Sequence, residues 1–386
     1  MWRENWAVAS PKYEVDVSDF EDDLGQKGRN RCISFFDSVS EKSHAYLNVF
    51  PTTRFYGSKR RQLQWLHSEL QNIGPLGTAL DAFGGTGTVT HLLRGLGWNV
   101  TYNDIFDFNL ISARALFSRR ITPIEVKELQ DLLDSVIPFD GFITQTFDEL
   151  FFTREENRWL DGFMRAISSG HELNADVWMF CLFQACLMKR PFNLFHRANL
   201  HLRHSTMPVD FGNRATWSKS FEHHMLNVFG EWKRFFSNRE QATTIATGCN
   251  AINVSGEFDL VYLDPPYFKK GRATETYVDR YHFLEGLSRF SEWPSLIDPS
   301  SPIRSIAKPY REEWTTKADV ISNVEKLFAQ HPNSKFALSY VAGEQPSEES
   351  LFELFKSRFD KVRLSRRSFS RALSKKEFFE ILIIGK

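Results

Sequence analysis

The feature that most constrains this chain is the run Phe258-Asp259-Leu260-Val261-Tyr262-Leu263-Asp264-Pro265-Pro266-Tyr267-Phe268. Its apolar centre reads as a short buried strand. Two consecutive prolines end it, because neither can donate to a ladder and both stiffen the backbone beyond. Asp264 therefore stands at the carboxyl end of a strand, with Tyr267 on a rigid step just past it. Ligands of open α/β sheets bind at that edge.

A second unit lies upstream. Thr78–Phe83 is a short apolar strand, Gly84-Gly85-Thr86-Gly87-Thr88 a glycine-rich turn, and Val89-Thr90-His91-Leu92-Leu93 the start of a helix. Gly97–Asp104 is a second strand ending in an acid. Such glycines let a ligand approach the backbone, and an acid about 20 residues on accepts from ribose hydroxyls. The Gly-x-Gly-x-x-Gly register is absent, so the unit suits a mononucleoside cofactor better than a dinucleotide; a plain tight βα turn is the bland alternative. Before it, Arg54-Phe55-Tyr56-Gly57-Ser58-Lys59-Arg60-Arg61 leads into an amphipathic run. Ser58 reads as a helix N-cap. Amides there, with Lys59 beside them, favour a carboxylate or phosphate, or simply cap the helix.

The remaining chain is read for class and organisation. Formal net charge is zero, which counts mildly against a nucleic-acid binder, but the charge is polarised. Residues 1–25 carry net −5, residues 189–239 net +6 and residues 356–376 net +8. No apolar run approaches ~20 residues, so no membrane span is expected. The N-terminal Met-Trp-Arg-Glu-Asn-Trp does not read as a signal peptide. Cys32, Cys181, Cys186 and Cys249 lack metal spacing and read as reduced thiols of a cytoplasmic protein. Residues 1–50 form an N-terminal extension without clear period.

Residues 108–240 read as mainly helical, with Val177–Leu187 apolar all round and therefore a buried helix. From Lys189 to His204, and again from Phe211 to Trp217, basic, aromatic and amide side chains interleave. Arg and Asn read base edges and basic groups meet phosphates. Lys189, Arg190, Arg197, Asn199, Arg203, Asn213 and Arg214 are thus candidate nucleic-acid contacts, against plain surface. Thr243–Val254 reads as a third strand and its exit turn, and Gly271–Arg280 as a polar, flexible loop. Asp319–Gln330 and Ser347–Phe359 read as helices, and Lys335–Tyr340, Val362–Leu364 and Phe378–Ile384 as strands. The last two are joined by a basic block ending in Lys375-Lys376.

Taken in order, these motifs resemble the Dam-type (alpha-group) DNA adenine-N6 methyltransferases that use S-adenosyl-L-methionine. The resemblance covers most of residues 52–386. It implies an α/β, Rossmann-like class I methyltransferase sheet of seven strands, mostly parallel with the last antiparallel. Residues 51–107 and 241–386 would form that catalytic domain, and 108–240 a mainly helical inserted target-recognition domain. It further implies that Phe55, Tyr56 and Lys59 belong to the leading cofactor motif, whose lysine meets the methionine carboxylate. Asp81, Phe83, Gly85 and Gly87 would lie under that methionine, Asp104 would hold the ribose, and Cys249 and Asn250 would flank the cofactor's adenine, where the family often has an acid. Asp264, Pro265, Pro266 and Tyr267 match the catalytic motif, with Asp264 also facing the cofactor. The family's fifth strand often has a small polar residue where Tyr340 stands here.

The implied reaction is methyl transfer to the exocyclic N6 of adenine in a specific double-stranded DNA sequence after base flipping. Asp264 and the Pro265 carbonyl would accept the two amino hydrogens, Tyr267 would stack on the base, and no metal is called for. Tyr281 and His282 read as structural. Such an enzyme resembles the modification half of a restriction–modification pair, whose partner is a cognate restriction endonuclease. The open alternatives are an adenine methyltransferase acting on ribosomal or other RNA, a cytosine-amino enzyme, which more often carries serine at the Asp264 position, and a catalytically silent DNA-binding module.

Overall fold

Seven strands form one sheet in the order β3-β2-β1-β4-β5-β7-β6. They are β1 (Thr78–Asp81), β2 (Asn99–Asn103), β3 (Thr244–Thr247), β4 (Leu260–Leu263), β5 (Lys335–Val341), β6 (Val362–Ser370) and β7 (Glu377–Gly385). The first five run parallel, and β7 lies antiparallel between β5 and β6. This is the seven-stranded, mostly parallel sheet with an antiparallel last strand that the motifs imply. The computed structural model describes residues 46–74, 76–170, 174–204, 214–238, 244–268, 276–308, 310, 314, 316–370 and 377–386. Most of the N-terminal extension, Cys32, Asn213, residues 271–275 of the expected loop and Lys375-Lys376 lie outside them.

The sheet is apolar on both faces because parallel strands are covered on both sides. On one face Ala79, Val100, Leu260, Tyr262 and Leu382 meet α1 (Leu63–Leu70) and α2 (Thr88–Gly95). On the other, Leu80, Val261, Phe336, Leu338 and Ile383 meet a second pair of helices at Lys317–Gln330 and Glu348–Lys356. The two sets alternate along each strand, as a period of two requires. Each fully buried aliphatic or phenyl side chain contributes roughly 1.5–3 kcal/mol, so this double coverage dominates the fold.

The chain leaves β1 for β2 and β3 on one side and returns to β4 on the other. That reversal opens a crevice at the carboxyl ends of β1 and β4. Between β2 and β3 run α3 (Asp107–Phe117), α4 (Val126–Asp134), α5 (Arg154–Ser168), α6 (Ala175–Met188) and α7 (Phe221–Ser237). Every residue of α6 from Val177 to Met188 is buried, between α3 and α7. The Trp232 indole of α7 donates to the Ala115 carbonyl of α3 at 2.8 Å. This layer continues into α8 (Tyr277–Ser288), then α9 (Lys317–Gln330) and α10 (Glu348–Lys356) complete the chain's longer helices.

Two expectations change. The loop expected as far as Arg280 gives way to α8 at Tyr277, where Thr276 and Asp279 form a reciprocal capping box. Strand β6 reaches Ser370 instead of stopping at Leu364. Beyond Leu364 this edge strand is mostly arginine and serine, which leaves little apolar signal to read.

Candidate active site

Asp264 follows the fully buried β4 and keeps 19% of its side chain exposed. Its Oδ1 accepts from Lys59 Nζ at 2.7 Å. The same ammonium lies 3.0 Å from Glu380 Oε1, which also accepts from Ser339 Oγ at 2.7 Å. Lys59 is only 4% exposed, and among the described residues both its anionic partners are protein side chains. Burial pushes the Asp264 carboxyl up to about 6, opposed by Lys59 and reinforced by Glu380. Burial also works against the Lys59 ammonium, but Asp264 and Glu380 outweigh it and hold its pKa well above the ordinary lysine value.

The turn that delivers Lys59 is made by Gly57, at φ +83°. A Cβ there would stand 3.1 Å from the Tyr277 hydroxyl and 3.5 Å from the Tyr267 hydroxyl. Tyr281 OH accepts from the Tyr56 amide at 2.7 Å, and its ring stacks on Phe55 at 4.7 Å and 3°. The Arg280 guanidinium lies 4.0 Å above the Tyr56 ring, and Tyr56 faces Tyr267 at 6.5 Å and 34°. The step past Pro265-Pro266 is braced from behind. Phe268 exchanges backbone hydrogen bonds with Gln345 at 3.3 and 2.8 Å, Tyr340 OH donates to the Gln345 carbonyl, and the Tyr340 ring meets Tyr267 edge-on at 6.0 Å. Tyr340, the departure from the family pattern, thus buttresses the motif.

The glycine turn sits beside this step. The Ala82 amide donates to the Tyr262 carbonyl at 3.1 Å, which ties the end of β1 to β4. Gly85 and Gly87 adopt φ +48° and +77°, and Phe55 covers Gly85. The Gly85 amide donates to Asp104 Oδ2 at 2.8 Å and the Phe106 amide to Asp104 Oδ1 at 2.9 Å. The Asn109 side chain and the Ile105 amide bond the same carboxylate. Burial raises the Asp104 carboxyl, and those amides oppose it. Asp81 Oδ2 accepts from Thr90 Oγ1 at 2.7 Å, while Oδ1 is buried without a hydrogen-bond partner among the described residues. Burial pushes Asp81 up to about 7, despite the Thr90 hydroxyl.

At the outer end, Phe83 packs edge-on against Trp314, whose indole donates to Asn250 Oδ1 at 3.0 Å. Asn250 also caps Ile252, and Cys249 is pinned through its amide and carbonyl to the Asn103 side chain. Next to the turn is a recess lined by Thr53, Phe55, Thr86, Asn109 and Gln184, in which Thr53 Oγ1 has no hydrogen-bond partner among the described residues and the Asn109 side chain serves Asp104. The unpartnered oxygen of Asp81, the accepting Asp104 and the Thr53 hydroxyl fit a ligand that is amino acid at one end and nucleoside at the other.

Three of the expected nucleic-acid contacts are engaged by protein groups. Lys189 is buried against Glu156 at 2.8 Å and donates to the Trp217 and Lys219 carbonyls. Arg203 grips the same Glu156 through two nitrogens at 2.7 and 2.6 Å. Arg190 is fully buried and donates to the carbonyls of Leu194, Phe151 and Arg197. These cations hold the segment together from within. Arg197 is exposed, and Asn199 and Arg214 are half-buried. The same segment is tied to α8, because the Phe195 amide donates to the Arg280 carbonyl at 2.9 Å and His282 bonds the Phe195 carbonyl at 3.2 Å.

Glu380, Ser339, Arg280 and Tyr277 were not expected in the site. Glu380 had a visible signal, a lone acid within the apolar run Phe378-Phe379-Glu380-Ile381-Leu382-Ile383-Ile384. A buried charge must be paired.

Comparison with known proteins agrees with this geometry. The chain is 24% identical over 310 residues to the Type II methyltransferase M2.HphI of Haemophilus parahaemolyticus, covering 78% of this chain and 86% of that protein. A family model described as D12 class N6 adenine-specific DNA methyltransferase matches residues 55–291, from the turn that delivers Lys59 past the Asp264 step and α8. With more than half of its length inside that match, the chain belongs to the D12 class N6 adenine-specific DNA methyltransferases.

Proposed function

We propose that this DNA adenine methyltransferase takes its methyl group from S-adenosyl-L-methionine and acts on one adenine of a specific double-stranded sequence, flipped out of the helix. The observation that carries this reading is the position of Asp264. It lies at the sheet's switch point beside the glycine turn, with one oxygen fixed by Lys59 and the other uncommitted among the described residues. The adenine amine is a poor nucleophile because its lone pair is delocalised into the ring. Asp264 Oδ2 accepts one amino hydrogen and the Pro265 carbonyl the other, which favours a pyramidal nitrogen with its lone pair free. When bound, S-adenosylmethionine would supply an electrophilic methyl on a sulfonium that leaves as a neutral thioether. The nitrogen's surplus proton then passes to Asp264 and on to water. Tyr267 stacks on the base, offsetting part of the few kcal/mol that flipping costs. Asp81, Phe83, Gly85, Gly87, Asp104, Cys249 and Asn250 hold the cofactor, and positioning supplies most of the rate.

In the same reading residues 108–240 form the target-recognition domain, inserted between 51–107 and 241–386 of the catalytic domain, and Arg197, Asn199, Asn213 and Arg214 contact the DNA. The likeness to a protein named as a Type II methyltransferase supports a place in a restriction–modification pair with a cognate endonuclease, in the cytoplasm. Among the described residues no helix is long and apolar enough to cross a membrane. The test is expression in cells lacking DNA methylation, followed by single-molecule sequencing of their genome. Methylated adenine at one recurring sequence is the expected result. Unmodified DNA from cells that contain folded, cofactor-binding protein would overturn it.

A further inference from the structure

Lys59 sits between two carboxylates, and only one of them belongs to the catalytic motif. Glu380 comes from β7, the last strand, across β5 from β4. It is buried, and its Oε1 takes both the Lys59 ammonium and the Ser339 hydroxyl, which fixes it from two sides. Two anions, one buried and one part-exposed, on one buried cation leave an uncompensated negative charge, an arrangement that packing alone does not require and that apolar residues often replace without loss. Its geometric result is definite. The ammonium is held on Oδ1 of Asp264, and no hydrogen bond among the described residues engages Oδ2.

We propose that Glu380 is a positioning residue for methyl transfer, holding Lys59 so that Asp264 turns its second oxygen toward the target amine. This inference rests on the reading of Asp264 as the acceptor of the amino hydrogen. The charged and titratable groups around Asp264 are Lys59 on the leading turn, Glu380 on β7, Asp81 at the end of β1, and the phenols of Tyr262, Tyr267, Tyr277 and Tyr340. Lys59 and Glu380 act on the Asp264 carboxyl in opposite senses, the first favouring its ionised form and the second disfavouring it.

The experiment uses the full chain and measures the single-turnover methylation rate of unmethylated genomic DNA against pH, alongside calorimetric S-adenosylmethionine binding. In Glu380→Gln the plateau rate falls and the acidic limb moves to lower pH. In Lys59→Met the limb moves to higher pH, each by about one unit or more. Cofactor affinity stays at the wild-type value in Glu380→Gln. Limbs that move in the same direction, or a Glu380→Gln profile superimposable on wild type, would overturn the inference. Should Lys59→Met fail to fold, Lys59→Arg replaces it: the limb then stays in place while the plateau falls, and an unchanged plateau would overturn the inference. Asp264→Asn separates the two levels. If it retains wild-type turnover, the reading of Asp264 fails. If it is inactive while Glu380→Gln is indistinguishable from wild type, only the role of Glu380 fails.

Discussion

Thr90 Oγ1 donates to Asp81 Oδ2 at 2.7 Å, binding the helix after the glycine turn to the strand before it and leaving the other carboxylate oxygen buried without a hydrogen-bond partner among the described residues. The Asp81 carboxyl is raised by burial to about 7, and the negative charges of Asp264 and Asp104 add to the rise. An acid raised on folding favours the protonated native state. Its contribution is therefore present below the unfolded value of about 4 and is lost as pH rises through about 7.

A cationic cofactor ammonium reverses that preference, because it stabilises the ionised carboxylate. Affinity for S-adenosylmethionine is expected to rise with pH up to about 7, with proton release on binding below it. Calorimetry in buffers of different ionisation enthalpy measures that release. Asp81→Asn flattens the pH dependence, and an unaltered proton count in that variant would remove Asp81 from the site.

Tyr267 is held edge-on by Tyr340 and faces Tyr56 across 6.5 Å. If its task is to stack on a flipped base, the ring matters and the hydroxyl does not. Tyr267→Phe is expected to keep near-normal turnover, while Tyr267→Ala loses ~1–3 kcal/mol of productive binding. Steady-state kinetics of the two variants on one DNA substrate decides this; equal losses would assign the role to the hydroxyl.

The catalytic half of this site was legible because its signals are local. Prolines stop a strand at Asp264 whatever lies around it, and Gly85 and Gly87 mark a backbone that only glycine adopts easily. The destination of a long side chain is a tertiary fact. Nothing near Lys59 in sequence says that Asp264 and Glu380, 205 and 321 residues on, wait at its tip. The basic block is ambiguous for a related reason. Interleaved Lys, Arg and aromatics describe a DNA-facing surface, but they equally describe cations folded inward over rings, as Arg190 is over Phe151 and Phe195. Sequence spacing does not distinguish the two.

The Asp264 carboxyl, near 6 in the folded protein, is expected to set the acidic limit of turnover. Methylation then falls as pH drops through about 6, because the protonated acid accepts the amino hydrogen weakly and cannot take up the nitrogen's proton. Asp264→Ala is expected to lose ~10²–10⁴ in rate with cofactor binding retained. Single-turnover assays beside binding titrations measure both, and near-normal turnover in the variant would refute the mechanism.

The inward and outward cations of the inserted segment give opposite phenotypes. Arg190 is fully buried and satisfies three carbonyls, and burial pulls its pKa down to about 9, with Arg203 adding to the fall. Arg190→Met orphans those carbonyls and is expected to destabilise the fold by on the order of 3 kcal/mol. Arg197 is exposed, and its own carbonyl is what Arg190 holds. Arg197→Ala therefore leaves the melting temperature within error, weakens DNA binding and lowers the slope of log affinity against log salt by about one if it meets a phosphate. Thermal denaturation and salt-titrated DNA binding on the same two variants separate scaffold from contact. A stable Arg190→Met with weakened DNA binding would mean that this side chain leaves its pocket to reach DNA, and an Arg197→Ala that binds as wild type would move the interface elsewhere on the inserted segment.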